Sequence, residues 1–408
     1  MNQDEIKTLI ERKHPEYVDR LAHWVFLDSC YRAGREWFSA NIFRYLKEGD
    51  TEYSDRVARA YRFNHTREVV DLVNKYLFKA EISRSDSASE DVQAFWHRAT
   101  KSGLSIDEQM RIASTKTSIF GRVFMVIDST AEAMETEAGQ PARSVQDDED
   151  DGDTVYSYLA SPIDVMDLAY DDDGDLLWVL LREYKRDDQN PWEATGDVHE
   201  RFKLWTKKDW FLIELDLNEK DEKKRQYKIT DEGNHDLGLV PVVPIDVQVS
   251  NDPYFVPALI NDIAYLDRAT ANYASNLDAI IQDQTFSQLA MPAQNLLPGE
   301  TAYDQMLDMG TKRIFIYDGE GGKEPKFISP DPSQASLILS AIGQLINEIY
   351  HSVGLAGERT KQDNSKGIDN SSGVAKSKDF ERVSALLSAR ADAMELAENH
   401  IVKIVSAY

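Results

Sequence analysis

Cysteine is almost missing: Cys30 is the single one in 408 residues. No intramolecular disulfide can form, so stability falls to packing, as suits a reducing compartment. An isolated cysteine of this kind reads as a small buried apolar residue rather than a reactive thiol. Long apolar runs are missing too, and none approaches the ~20 residues that span a bilayer. The N-terminal "MNQDEIKTLIERKHPEY" alternates charged and apolar residues and lacks the apolar core of a signal peptide. A soluble chain with no export and no membrane partner is expected. Basic residues are in the minority, 46 Lys and Arg against 72 Asp and Glu, for a formal net charge of −26. That balance excludes broad adhesion to nucleic acid or anionic lipid, because counterion release rewards clustered cations. Any DNA contact should be local or deliberately weak.

Catalytic signatures are equally sparse. No GxxxxGK[ST] loop occurs, so the phosphate cradle of a P-loop ATPase is lacking. The eight histidines form neither an HExxH pair nor a His/Cys cluster with zinc spacing. "SSGVAKS" lacks the nucleophile-elbow pattern and follows no strand. In "AYDDDGDLLWVL", taking Gly174 as the turn glycine of a calcium loop puts Asp171 and Asp173 on ligand positions. The first position is then Ala169 and the bidentate-glutamate position Leu180. A strand-to-strand turn is the better reading, since Asp and Gly suit such turns. "DDEDDGD" (147–153) reads as a solvated tip. No cofactor and no enzyme activity are expected.

What is present is enough apolar content, 42%, for two or three domains with real cores. The first part has helical spacing, at Val57, Ala60 and Tyr61, then Val69, Val70, Val73, Tyr76 and Leu77. "ISRSDSASED" offers an N-cap ahead of a helical "VQAFWHRATKSGLS", and a further helix is expected over about 105–118. From Ile119 the residues turn β-branched and aromatic: "IFGRVFMVIDS", "TVYSYLASPIDVMDL", "LLWVLLREYKR", "ERFKLWTKKDWFLIEL" and "KKRQYKITD" predict strands. The acidic stretch 131–153 between the first two reads as a hairpin extension or insertion.

Helical period returns at Val256, Leu259, Ile263, Leu266, Thr270, Tyr273, Leu277 and Ile280 and predicts one long helix with a packing seam. Block 286–334 is broken by "MP", "LPGE", "DGEGG" and "SPDP" and holds one clear strand, "KRIFIYD". A second long helix follows, with Ile338, Ile342, Leu345, Ile349 and Val353 on one side. A small cationic loop, "KQDNSKGIDNSSGVAKSKDF", then precedes a last helix seamed by Val383, Leu387, Met394, Ala397, Ile401 and Ile404. The long seams serve packing within one chain or between copies.

The collinear pattern resembles the portal protein family of tailed double-stranded DNA bacteriophages, of the long-tailed type. "YSDRVARAYRFNHTREVVDLVNKYLFKAEIS" carries N-x-x-x-x-[IV]-[VI]-D. "IASTKTSIFGRVFMVIDS" with "YLASPIDVMDLAYDDDGDLLWVLLREY" matches a helix feeding a strand and a P-x-D-V strand answered across an acidic turn. "LVPVVPIDVQVSNDPYFVPALINDIAYLDRATANYASNLDAII" matches the approach to a first stem helix, and "DNSSGVAKSKDFERVSALLSARADAMEL" the close of the stem. Each motif alone is weak; their order carries the resemblance.

That resemblance implies an α+β portal fold. Its parts would be a mixed helical and β wing over 1–253 (helical 1–118, β-rich 119–250), a first stem helix 254–285 and a small α/β clip 286–334. A second stem helix 335–356, a tunnel loop 357–371 and a tunnel helix 372–408 leading to a crown or wing return would follow. Copies of the chain, usually twelve, would form a ring passing double-stranded DNA. The other implied partners are the terminase large subunit, a head-completion or neck adaptor, and the major capsid and scaffolding proteins. The implied location is the capsid portal vertex of the virion, assembled in the bacterial host cytoplasm. Implied tunnel-loop residues are Lys361, Asn364, Ser365, Lys366, Asn370 and Ser371; Ser372, Lys376 and Lys378 would start the tunnel helix, with Ser371 or Ser372 as N-cap. Lys312, Arg313, Phe315 and Tyr317 would face the motor or neck, and "KRIFIYD", as a lone edge strand, would pair with a neighbouring copy. Family members often continue into a helical crown past the tunnel helix, where this sequence reads "HIVKIVSAY"; the insert 131–153 has no counterpart in the pattern. The competing readings are a metal-dependent enzyme using carboxylates of 147–175 and an acidic neck or scaffold protein that never encloses DNA.

Overall fold

The computed structural model describes residues 2–85, 87–130, 154–188, 190–192, 194–216, 226–285, 288–292, 314–317, 326–328, 332–355 and 373–408. They divide into two compact units, one of 1–32, 66–262 and 353–408, the other of 33–65 and 263–352. The helical N-terminal region is thus shared between the units, with 33–65 clustering with the two long central helices.

In the first unit, polar residues set the helix starts. Helix α1 (Gln3–Glu11) opens with a capping box between Asn2 and Glu5. Helix α2 (Pro15–Arg32) begins on a proline, whose missing N–H costs nothing in the first turn. Downstream of α5 (His65–Leu77), Ser89 caps α6 (Glu90–His97) by accepting from the Val92 amide. Ser105 and Glu108 form a second capping box on α7 (Ile106–Phe120), which ends at Gly121 with φ +86°. The expected helix at about 105–118 is this one.

Gly121 turns the chain into β1 (Arg122–Ser129), buried along nearly its whole length. It lies between antiparallel partners β2 (Val155–Ala160) and β8 (Val242–Asp246), with Val126 opposite both Tyr158 and Val242. A strand covered on both faces reads as a continuous apolar run, which is how "VFMVI" looks. The β1–β2 pairing also brings Ser129 opposite Val155, so the acidic insert joins the two ends of a hairpin. The second sheet is an antiparallel meander of β3 (Val165–Tyr170), β4 (Leu176–Arg186), β5 (Val198–Thr206), β6 (Asp209–Leu215) and β7 (Tyr227–Asn234). "TVYSYLASPIDVMDL" is therefore two strands in different sheets, broken where Pro162 removes a donor and Ser161 Oγ donates to Asp164 Oδ2 at 2.7 Å. "DDGD" is the expected turn. Asp171 Oδ1 accepts from the amides of Asp173 (3.1 Å) and Asp175 (2.9 Å), and Gly174 takes φ +90°.

The second unit holds α3 (Arg35–Asn41), α4 (Asp50–Arg59), α8 (Ile263–Thr285) and α9 (Pro332–Ser352). A small sheet of β9 (Gln288–Pro292), β10 (Ile314–Tyr317) and β11 (Lys326–Ile328) completes it. Two expectations change here. Helix α8 begins at Ile263, not at Val256. Pro253 and Pro257 cannot donate within a helix, and Asp252 Oδ1 takes the amides of Tyr254 (2.9 Å) and Phe255 (2.8 Å), so 252–262 is a bent segment. Nor is "KRIFIYD" a lone strand: β10 pairs in parallel with the central β9, which β11 joins antiparallel.

The inner face of α8 is also more polar than its apolar seam suggested. Asp267 and Ser275 are buried whereas Tyr273 is exposed. Two arginines account for it. Arg62 pairs with Asp267 at 3.2 Å, and Arg56 donates to Ser275 Oγ at 3.0 Å. Arg56 also grips Glu48 with two bonds of 2.7 Å, donates to the Phe43 carbonyl at 2.7 Å and stacks over Tyr45 at 4.0 Å. Glu48 is held below the usual carboxylate range, first by the Arg56 hydrogen bonds.

The C-terminal helix α10 (Gly373–Val405) belongs to the first unit and buries Met394, Ala397, Ile401 and Ile404, as its seam predicts. Tyr408 donates from its hydroxyl to the Ile127 carbonyl at 3.2 Å.

Candidate functional site

The loop residues Lys361, Asn364, Ser365, Lys366, Asn370 and Ser371, with Ser372, lie outside the described residues, as do Lys312 and Arg313. The described residues supply the frame around them. Leu355 is buried, and Gly354 at φ +73° packs so closely on α10 that a Cβ there would stand 3.2 Å from Arg382 Cβ. Arg382 lies nine residues beyond Gly373, about 14 Å at helical rise. The described residues on either side of 356–372 are thus both associated with α10, Gly354 by contact at Arg382 and Gly373 as its first residue. Lys376 and Lys378 fall in the first two turns of α10.

Below those turns, α10 is tied to the first unit by an arginine that apolar periodicity overlooks. In the seam 383, 387, 394, 397, 401, 404 the slot between Leu387 and Met394 is Arg390, and it is buried. Its Nη2 donates to the Ser114 carbonyl (3.0 Å), Ser114 Oγ (3.1 Å) and Ser118 Oγ (2.7 Å) of α7. No carboxylate of the described residues pairs with it, and its Nε and Nη1 have no partner. Burial alone pushes its pKa down, while the negative end of α7 offsets part of that cost. A second tie joins Arg84 to Glu398 of α10 and, at 2.6 Å, to Asp107 at the start of α7.

Phe315 and Tyr317 lie on β10, opposite Ala290 and Pro292 of β9. Beyond β10 no further strand pairs with it among the described residues. The "DDGD" carboxylates do other work: Asp171 accepts from Lys207 Nζ at 2.8 Å, and that bond leads in lowering its pKa. Among the described residues no three His, Cys, Asp or Glu side chains converge as a metal site would require.

A cleft of about 810 Å³ in the first unit lies among α7, the loop before it, β2, and the strands β4 to β7. Asp128 accepts from Lys203 Nζ (2.6 Å) and from the Tyr156 hydroxyl (2.7 Å). Arg201 pairs with Glu183 at 2.7 Å, and Lys101 Nζ sits 4.0 Å above the Tyr156 ring. The residues come from many elements far apart in the chain, so no single spacing in the sequence announces them.

Comparison with known proteins bears on the whole frame. The family model of phage portal proteins, SPP1 Gp6-like, matches residues 23–375, a range that runs through both units. No curated protein matches the sequence. Among solved structures, the chain is similar to one in "Neck of empty GTA particle computed with C6 symmetry", with 12% identity and TM-score 0.39 over 90% of this chain and 88% of that one. It is likewise similar to one in "Virion of native gene transfer agent (GTA) particle", with 11% identity and TM-score 0.39 over 88% and 84%. On the strength of the family match, which covers most of the sequence, this chain belongs to the phage portal protein family.

Proposed function

We propose that copies of this chain, twelve by family resemblance, form a ring at one capsid vertex of the virion, through which double-stranded DNA passes during packaging and ejection. The ring would assemble in the bacterial host cytoplasm with major capsid and scaffolding proteins. It would then dock the terminase large subunit and later the neck adaptor. The chain would be a non-enzymatic conduit, with ATP spent by the separate motor.

The observation that carries this reading is the way the residues flanking 356–372 are held. The stretch with Lys361 and Lys366 follows Gly354 and Leu355, which pack beside Arg382 of α10, and precedes the first residue of α10, a helix that Arg390 locks to α7. Such a loop suits transient phosphate contacts, since lysine reads backbone charge without sequence. The net charge of −26 keeps a sliding polyanion from adhering. The outer edge of β10 and exposed Tyr265, Tyr273, Leu337 and Leu339 on α8 and α9 offer surfaces for neighbouring copies.

Negative-stain electron microscopy of the purified chain, with added capsid protein where it stays monomeric, tests the proposal. Rings with a channel wide enough for a duplex are expected. Closed oligomers without a hole, or no ring even with capsid protein present, would overturn it in favour of a neck or scaffold component.

A further inference from the structure

The charge of the first unit's cleft runs against the rest of the chain. Of its basic residues, Lys203 and Arg201 are matched by Asp128 and Glu183. Lys101 and Lys116 are not: neither makes an ion pair or hydrogen bond among the described residues, and Lys101 only covers the Tyr156 ring. Lys116 is half-buried on α7, and burial leads in lowering its pKa, against weaker pulls upward from Asp164 and Asp28. One carboxylate lining the cleft, Asp231 of β7, also lacks an ion-pair partner. Apolar surface borders the charges: Ile112 of α7 is 39% exposed, and half-buried Leu212 of β6 stands opposite Lys203 on the same face of the sheet.

A half-buried lysine without a counter-ion is a standing cost, and an arriving carboxylate removes it. Apolar surface beside it rewards an aliphatic or aromatic neighbour of that carboxylate. A nucleic-acid strand fits poorly, because Asp128, Glu183 and Asp231 would face its phosphates. We propose that this cleft docks an acidic peptide segment of a partner protein, with a carboxylate on Lys116 and Lys101 and an adjoining apolar side chain against Ile112 and Leu212. The size agrees, since about 810 Å³ is ample for a few side chains.

The test is fluorescence anisotropy on the full chain with a short fluorescein-labelled peptide alternating glutamate with leucine, and a lysine–leucine peptide as control. Saturable binding of the acidic peptide alone is expected. Lys116→Met and Lys101→Met should each weaken it about fivefold, and Asp231→Asn should tighten it by removing a repelling charge. Asp231 lies on an exposed strand, so its variant keeps the test decisive even where Lys116→Met misfolds. Equal binding of the two peptides, or affinity indifferent to all three substitutions, would overturn the proposal. So would binding that emerges only after residues 131–153 are deleted, since the cleft would then serve the chain's own acidic segment.

Discussion

Gly121 and Val256 meet backbone to backbone: a Cβ on Gly121 would lie 1.8 Å from the Val256 carbonyl oxygen. The contact fastens the α7-to-β1 turn to the bent segment ahead of α8. On both sides of it the main chain is stitched, by Val247 N to the Gly121 carbonyl (2.8 Å) and Ile260 N to that of Ser118 (3.3 Å). Neither partner can yield as a flexible side chain would. Gly121→Ala should therefore cost at least about 3 kcal/mol, adding a main-chain clash to a positive φ. Gly174→Ala, at φ +90° with no atom within 4 Å of its Cβ, should cost only about 1 kcal/mol. Urea unfolding of both variants checks this. Equal losses would mean that the close approach does not matter.

Two buried arginines make a second contrast. Arg56 holds a carboxylate with two short bonds, whereas Arg390 holds only two serines and a carbonyl. Removing Arg56 strands the Glu48 charge, and Arg56→Met should cost about 3 kcal/mol. Removing Arg390 strands no charge and leaves Ser118 still donating to the Ser114 carbonyl at 2.8 Å. Arg390→Met should accordingly unfold within about 1 kcal/mol of the wild type or above it. A large loss there would show that its hydrogen bonds outweigh its desolvation.

The Glu48–Arg56 pair also predicts an acid limit. Glu48 titrates below its ordinary 4.5 in the fold, because the charged form is the one Arg56 binds. Above 4.5 both folded and unfolded chains are ionised and the pair contributes fully. As pH falls through that value the unfolded state takes up the proton first. The contribution then shrinks, and it is gone below the lowered native pKa. The stability gap between wild type and Glu48→Gln should hold constant near neutrality and close as pH drops below about 4.5. A gap independent of pH would remove Glu48 as its source.

These residues also mark where the sequence stops being legible. Helix starts were readable because Ser89 and Ser105 cap through their own side chains, within three residues. The buried strands of the first unit announced themselves by β-branched runs. By contrast, β9 and β11 are short and lie among prolines, so local propensity is too weak to flag them. Val256 had helical spacing without a helix: its carbonyl backs onto Gly121, between α7 and β1, rather than onto a residue one turn away. Arg390 occupies a seam slot that apolar counting skips. The cleft is assembled from elements more than a hundred residues apart, Lys101 to Asp231, and only tertiary structure brings them together.

The loop prediction is the one that reaches function. Lys361 and Lys366 stand between buried Leu355 and Gly373, the first residue of α10, so replacing them should leave the packing of α10, and with it the proposed ring, untouched. Their contribution, if they touch DNA in passing, is to phosphate contact, and each lost contact shallows the salt dependence of binding by roughly one unit of log-log slope. The Lys361→Ala, Lys366→Ala double variant should form rings in normal number by electron microscopy, while DNA packaged per particle falls. Arg390→Met is the matching control, since it alters α10 without altering the charge of residues 356–372. Normal packaging by the double variant would strip both lysines of the role proposed for them. Loss of rings together with packaging would place them in assembly instead, because a residue that serves only the passing duplex has nothing to contribute before DNA arrives.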